Sequence, residues 1–293
     1  GIESVEFEAA KSFYFNQDYT QALANLGEYV KSYPDSPRVP EAKYYTAESY
    51  YRLKDMVKAL AIYNEIAGEN SFALTNKVTA RIAELEFKQG NYEKAIPQFR
   101  KLSKIASNKK EQFNAWSGLM ESNYVLAQYD SADAYARLIL EKGKVNAGAE
   151  NKASLFLGKS AMARGDYDGA KDEFLNTMNT ARDEYGAEAK YLLAEIFFLS
   201  KDSKQCYETC VSLNTDFAAY PEWVGKSYLL LSDNFLAMGD LFQAKGTLKS
   251  LIDNFPLQIV KDQANERLKK LEEQDLKKQK AKRIPIMNGR DSF

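Results

Sequence analysis

The sequence predicts an all-α fold, a right-handed α-solenoid of seven helix-turn-helix repeats with a C-terminal capping helix, and three observations predict it. The first is a column of small residues: Ala22, Ala59, Ala95, Ala132, Ala170, Cys206 and Ala244 recur at intervals of 37, 36, 37, 38, 36 and 38. A fixed period in this range marks a stacked array of helical repeats. The second is a turn just upstream of each member, as in Gln17-Asp18, Lys54-Asp55, Gly90-Asn91, Gly165-Asp166, Lys201-Asp202 and Gly239-Asp240, with Ala127-Gln128 in the fourth copy. The third is apolar spacing after the turn, clearest at Tyr92, Ala95, Ile96 and Phe99, which fits one face of a helix.

The elements follow in order. Repeat one pairs a helix over Val5 to Asn16 with one over Tyr19 to Ser32, ended by Tyr33-Pro34-Asp35-Ser36-Pro37, since proline cannot continue a helix and pushes its predecessor to extended geometry. The next pairs are Pro40 to Leu53 with Met56 to Ala67, Leu74 to Gln89 with Tyr92 to Ala106, and Lys110 to Leu126 with Tyr129 to Lys142. Then come Ala149 to Arg164 with Tyr167 to Ala181, Gly186 to Ser200 with Ser203 to Leu213, and Pro221 to Met238 with Leu241 to Phe255. The array thus fills residues 1–256, its repeats at about 4–37, 40–73, 74–108, 109–146, 149–183, 186–218 and 221–256. Residues 257–276 predict a capping helix, apolar on one face at Ile259, Val260, Ala264, Leu268 and Leu271. Beyond it, Lys277 to Arg283 forms a basic run, and 277–293 is expected to be a solvated, disordered tail; the other reading of the run is attraction to an acidic surface or anionic lipid.

Composition narrows the function. Forty Lys and Arg against 41 Asp and Glu leave a net charge of -1, without the basic excess that nucleic-acid binding requires. The longest apolar run, near Leu192 to Leu199, is broken by Glu195 and falls short of the ~20 residues of a membrane span. Glu3, Glu6 and Glu8 stand where a secretory signal would be basic and then apolar. The chain opens on Gly1 in mid-pattern, so it is expected to be an excised fragment, and an exposed apolar face at Phe7 and Phe13 would then favour self-association. Cys206 and Cys210 could form a redox or metal pair, but they fall on the core columns of repeat six and are expected to be buried apolar residues. Without histidine, no metal site or cofactor is expected.

Twelve residues before the alanine column stand Ala10, Ala47, Ala83, Met120, Gly158, Ala194 and Ser232, small in all but one case; Trp116 precedes Met120 by four, and Pro34 and Pro256 close second helices. Small residues where helices cross, facing an alanine on the partner helix, resemble the tetratricopeptide repeat. The resemblance spans about Ser4 to Pro256, with a period longer than the family's usual ~34. It implies a superhelix that binds proteins. A narrower resemblance, carried by the junction Tyr33 to Asp55, is to bacterial envelope proteins of the Tol-Pal-associated and outer-membrane-assembly lipoprotein kind. That implies a scaffold in bacterial envelope assembly, periplasmic or peripherally attached to the outer membrane; the alternative is cytoplasmic.

In tetratricopeptide arrays one stripe of the first helices lines the concave groove. Here its central column reads Lys11, Glu48, Glu84, Glu121, Lys159, Glu195 and Asp233, acidic in five of seven copies. Three residues later stand Tyr14, Tyr51, Phe87, Tyr124, Met162, Phe198 and Leu236; four residues earlier stand Phe7, Tyr44, Ala80, Ser117, Leu155, Tyr191 and Leu229. These offsets put the columns on one stripe. The expected binding site is Tyr14, Tyr44, Glu48, Tyr51, Glu84, Phe87, Glu121, Tyr124, Tyr191, Glu195, Phe198 and Asp233, an aromatic trough with an acidic ladder suited to a basic or aromatic peptide. The other reading is that these aromatics pack between repeats and the carboxylates pair there with lysines. Acidic chaperone tails, which the family clamps with Lys and Asn at these columns, would be repelled.

Catalysis is not expected. Histidine-based nucleophile pairs are unavailable. Gly143 to Gly148 lacks the Lys-Ser/Thr of a phosphate loop, and acidic pairs such as Asp202 with Glu208 or Glu184 with Glu188 read as solvated faces. A second class is a ligand- or glycan-binding repeat protein of the envelope. A pocket-building insertion would mark it, and the even intervals leave no room for one.

Overall fold

The computed structural model describes residues 1–69, 73–142 and 145–290, with side chains as far as residue 283. Residues 143 and 144 of the glycine stretch and 291–293 of the tail lie outside the described residues, as do 70–72 at the junction of repeats two and three. The described residues form helices and no strand. Two compact units are present, Gly1–Ala149 and Glu150–Phe293.

The first unit holds α1 (Ile2–Phe15), α2 (Tyr19–Ser32), α3 (Val39–Arg52), α4 (Met56–Ile66), α5 (Thr75–Lys88), α6 (Tyr92–Ile105), α7 (Lys109–Val125) and α8 (Tyr129–Lys142). Each packs on the next, and α1 with α3 and α5 with α7 bring together the first helices of neighbouring repeats. Helix α9 (Ala147–Ala163) opens at the unit boundary. The second unit continues with α10 (Tyr167–Thr180), α11 (Glu184–Leu199), α12 (Ser203–Asp216), α13 (Pro221–Ala237), α14 (Leu241–Asn254) and α15 (Gln258–Arg290). From α10 onward each again packs on the next; α11 touches α13, and α15 lies on both α13 and α14 in the place of a next first helix. This is the all-α helical-repeat solenoid the periodicity predicts.

The seven turns share one geometry. Five residues before each alanine-column position, the backbone enters the left-handed region at Gln17, Lys54, Gly90, Ala127, Gly165, Lys201 and Gly239. The amide of the following residue reaches back five positions, as in Asp18 N to Phe13 O at 2.9 Å and Asp240 N to Phe235 O at 2.9 Å. That is the Schellman closure of a helix C-terminus. The same following residue caps the second helix: the carboxylates of Asp18, Asp55, Asp166, Asp202 and Asp240 accept from the backbone N–H three positions on. One dipeptide therefore ends one helix and starts the next.

Both columns that define the period are buried in every copy, including Met120 and Cys206. Gly158 is needed there because a Cβ would lie 2.5 Å from the Phe174 ring. Cys206 and Cys210 are free, buried thiols packed among Ala194, Leu230, Phe235 and Ala244, and no group of residues suited to a metal ion occurs among the described residues.

One boundary is corrected. The capping helix does not end near Leu276 but continues through the basic run to Arg290. Over Lys277 to Arg283 the Lys, Gln, Ala and Arg are good helix formers, so there the loss of apolar periodicity ends the packed face without ending the helix; propensity does not explain the continuation through Pro285 and Gly289. No helix of the described residues is long and apolar enough to cross a membrane.

Candidate functional site

The structure divides the predicted stripe by depth. Of its first column, Phe7, Tyr44, Ser117, Leu155 and Leu229 are buried, while Tyr191 is half-buried. Tyr44, expected to face a ligand, instead packs in the core with Ala47, Tyr63 and Val78. Glu48 is also enclosed, at 2% exposure. The physical reason is that a first helix packs on its own second helix and on neighbouring first helices, so its buried arc is wider than one face. Tyr14, Tyr51, Phe87, Tyr124 and Phe198 stay half-buried, as do Glu84, Glu121, Glu195 and Asp233. Tyr14 lies against Tyr45 with ring centroids 5.0 Å apart, Phe87 against Tyr92 at 5.4 Å, and Tyr124 against Tyr129 at 5.8 Å.

In the first unit the acids bind groups of the chain itself. Arg81 grips Glu48 two-handed, Nε to Oε1 and Nη2 to Oε2 both at 3.2 Å, and donates from Nη1 to Glu84 Oε2 at 3.1 Å. Its guanidinium lies 3.8 Å from the centroid of the Tyr51 ring. The Tyr51 hydroxyl and the Lys88 ammonium both donate to Glu84 Oε1, at 2.6 and 2.8 Å. Burial by itself would raise the Glu84 pKa, but the hydrogen bonds from Lys88 and Tyr51 and the charges of Lys88 and Arg81 outweigh it and hold the carboxyl below its usual range. Burial, reinforced by the Glu48 charge, pushes the Tyr44 phenol up. The network is a bidentate, stacked clamp between repeats two and three.

Elsewhere the central column also pairs with the following repeat: Lys11 with Glu41 at 3.3 Å, Lys159 with Glu188 at 3.4 Å, and Asp233 with Arg267 of α15 at 3.3 Å. Glu121 is engaged as well. Glu195 differs. It forms no hydrogen bond or ion pair among the described residues, and burial raises its pKa against a partial opposing effect of the Lys226 charge. Lys226 is held elsewhere, 4.3 Å over the Trp223 ring and 3.5 Å from Glu222. Around Glu195, Tyr191 stacks on Trp223 at 5.7 Å, and its phenol is pushed up to about 12 by burial and by the Glu195 charge. Phe198 stands half-buried one turn further along α11.

Arg81, Arg267, Trp223 and Lys226 were not among the predicted site residues. The signal that locates Arg81 is its column, three before the central acid, which otherwise reads Glu8, Tyr45, Gly118, Phe156, Leu192 and Leu230. A lone arginine in a mostly apolar column calls for a buried acid one repeat away.

Residues 7–73 and, separately, 226–257 match models of the tetratricopeptide repeat. No curated protein matches the chain. A tetratricopeptide repeat protein from Parabacteroides merdae superposes with a TM-score of 0.61 at 19% identity, over 92% of this chain and 98% of its own. The C-terminal part of a repeat protein from Cytophaga hutchinsonii gives 0.61 at 14% identity, over 87% and 98%. A Rap protein complexed with Competence and Sporulation Factor gives 0.54 at 16% identity, over 86% and 75%. None of these bears on the narrower likeness to envelope lipoproteins. The tetratricopeptide resemblance is thus supported by repeat matches near both ends of the array and by solved repeat proteins of like fold along nearly all of it.

Proposed function

We propose that the protein is a non-enzymatic scaffold that holds a segment of another protein along its first helices, with a Lys or Arg of that segment at Glu195. The carrying observation is the half-buried Glu195 carboxylate without a partner among the described residues, flanked by Tyr191 and Phe198. A carboxylate kept partly out of water gains most from a cation that brings its own hydrogen-bond donors, and the ring faces beside it attract the same group. Glu48 and Glu84 already hold Arg81 and Lys88, so in this reading they stiffen the scaffold. The likeness in fold to a Rap protein complexed with a factor supports a binding role for the repeat stack.

The test is a positional library of capped heptapeptides offered to the intact chain. Selection of Lys or Arg at one position by the wild type, lost in Glu195→Gln and kept in Glu84→Gln, is the expected result. Equal selection by all three would place the ligand elsewhere. The envelope is the proposed location, on the Tyr33 to Asp55 junction, and fractionation of native cells followed by immunodetection tests it: signal confined to the soluble cytoplasmic fraction would refute it.

A further inference from the structure

A cleft of about 510 Å³ lies on the opposite helix type, formed by α14 with Tyr228 of α13 and Phe255 beyond the α14 C-terminus. Its volume falls in the range of small-molecule sites, roughly 300–1,000 Å³. Three features define its chemistry. Aromatic rings wall it at Tyr228, Phe242 and Phe255, and Phe242 is 87% exposed, more than any other large apolar side chain described. Between them stand Gln243, Thr247, Ser250 and Asn254, all neutral, and none of the nine lining residues is ionised at neutral pH. The hydroxyls of Tyr228 and Ser250 and the Asn254 amide bind no other described residue; Thr247 donates to the Gln243 carbonyl at 2.8 Å and keeps its lone pairs for an acceptor role. At the centre, Gly246 leaves open space where a side chain would stand, with no atom within 4 Å of a Cβ placed there.

From this we infer that the cleft is a saccharide site taking an uncharged sugar chain laid along α14. A ligand that suits such a lining must be neutral, must present C–H faces to aromatic rings and must carry many hydroxyls that can both donate and accept, and a pyranose does all three. From Phe242 to Asn254 the helix rises ~18 Å, enough for several sugar units in a row. The site needs no insertion in the repeat period, because it is made from the outer face of a second helix. It is independent of the peptide reading, sharing no residue with Glu195 and its neighbours.

The experiment is calorimetric titration of the intact chain with uncharged hexasaccharides of glucose, N-acetylglucosamine, xylose and mannose, with an oligogalacturonide as the charged control. At least one neutral sugar should bind, and the oligogalacturonide should not. Phe242→Ala should weaken that binding about fivefold or more through lost ring stacking, and Gly246→Gln should abolish it while the melting temperature stays at or above that of the wild type. Glu195→Gln should leave it unchanged, which separates this site from the peptide stripe. No binding of any neutral sugar at millimolar concentration, binding indifferent to both variants, or concentration-dependent self-association that Phe242→Ala removes would each overturn the assignment, the last by showing that a second copy covers the face.

Discussion

Glu48 in the first unit and Glu195 in the second hold the same column of the first helix of their repeats, yet one is buried under a bidentate arginine and the other is half-buried without a partner among the described residues. The acid is the same; the difference lies one repeat further on. Three residues before the next central acid stands Arg81 in the first case and Leu230 in the second. A repeat array therefore decides the role of a side chain by what its neighbour carries, which is how nearly identical backbones can be rigid in one place and receptive in another.

Arg81→Leu copies the second-unit arrangement into the first and is the strongest way to break the comparison. It leaves Glu48 enclosed and uncompensated, and unfolding in urea should show a loss of about 3–5 kcal/mol. A loss under about 1 kcal/mol would mean that the clamp is ornamental and that Glu48 is relieved by solvent.

The turns offer a second contrast. In the first unit Gln17, Lys54 and Ala127 hold left-handed backbone that only Gly90 holds without strain, whereas in the second unit Gly165 and Gly239 leave Lys201 as the single strained case. Ala127→Gly should stabilise the chain by about 1 kcal/mol, since an L-residue in this region costs roughly 1–2 kcal/mol, and Gly165→Ala should do the reverse. Thermal melts of the two variants check both signs.

The smallest effects are the most diagnostic, because the two acids should respond to pH in opposite senses. Glu195 has a raised native pKa, so the folded state holds its proton more tightly than the unfolded state, and stability falls as pH rises from the unfolded value of about 4.3 through the native one. Glu195→Gln should therefore melt higher than the wild type at pH 7 and lose that advantage below about pH 4. Glu84 has a lowered native pKa; its contribution is present above about pH 4.3 and is lost as pH falls through the native value. Glu84→Gln should melt lower at pH 7 and converge with the wild type in acid. Melting curves in which both variants shift in the same direction at pH 7 would contradict the contrast.

The sequence makes the repeat frame legible because the frame rests on local chemistry: a small residue at each helix crossing, a residue forced into the left-handed turn and an aspartate that caps the next helix all leave marks within twelve positions of one another. The fate of the stripe was not local. Tyr44 and Tyr51 look alike in sequence, seven apart on one helix, and only packing of α3 against its neighbours puts the first in the core and the second at its edge. Glu48 finds Arg81 across 33 positions, a pairing that periodicity cannot announce. The extension of α15 over Lys277 to Arg283 escaped for another reason, since a polar run with no apolar face has propensity but no pattern.

The central claim, that Glu195 is the receptive acid of the stripe, is tested most directly by fluorescence anisotropy of one library-selected peptide against wild type, Glu195→Gln and Glu84→Gln in parallel. Binding to Glu195→Gln should be at least about tenfold weaker, with Glu84→Gln close to wild type. Equal affinity for Glu195→Gln and wild type, or a loss confined to Glu84→Gln, would contradict it.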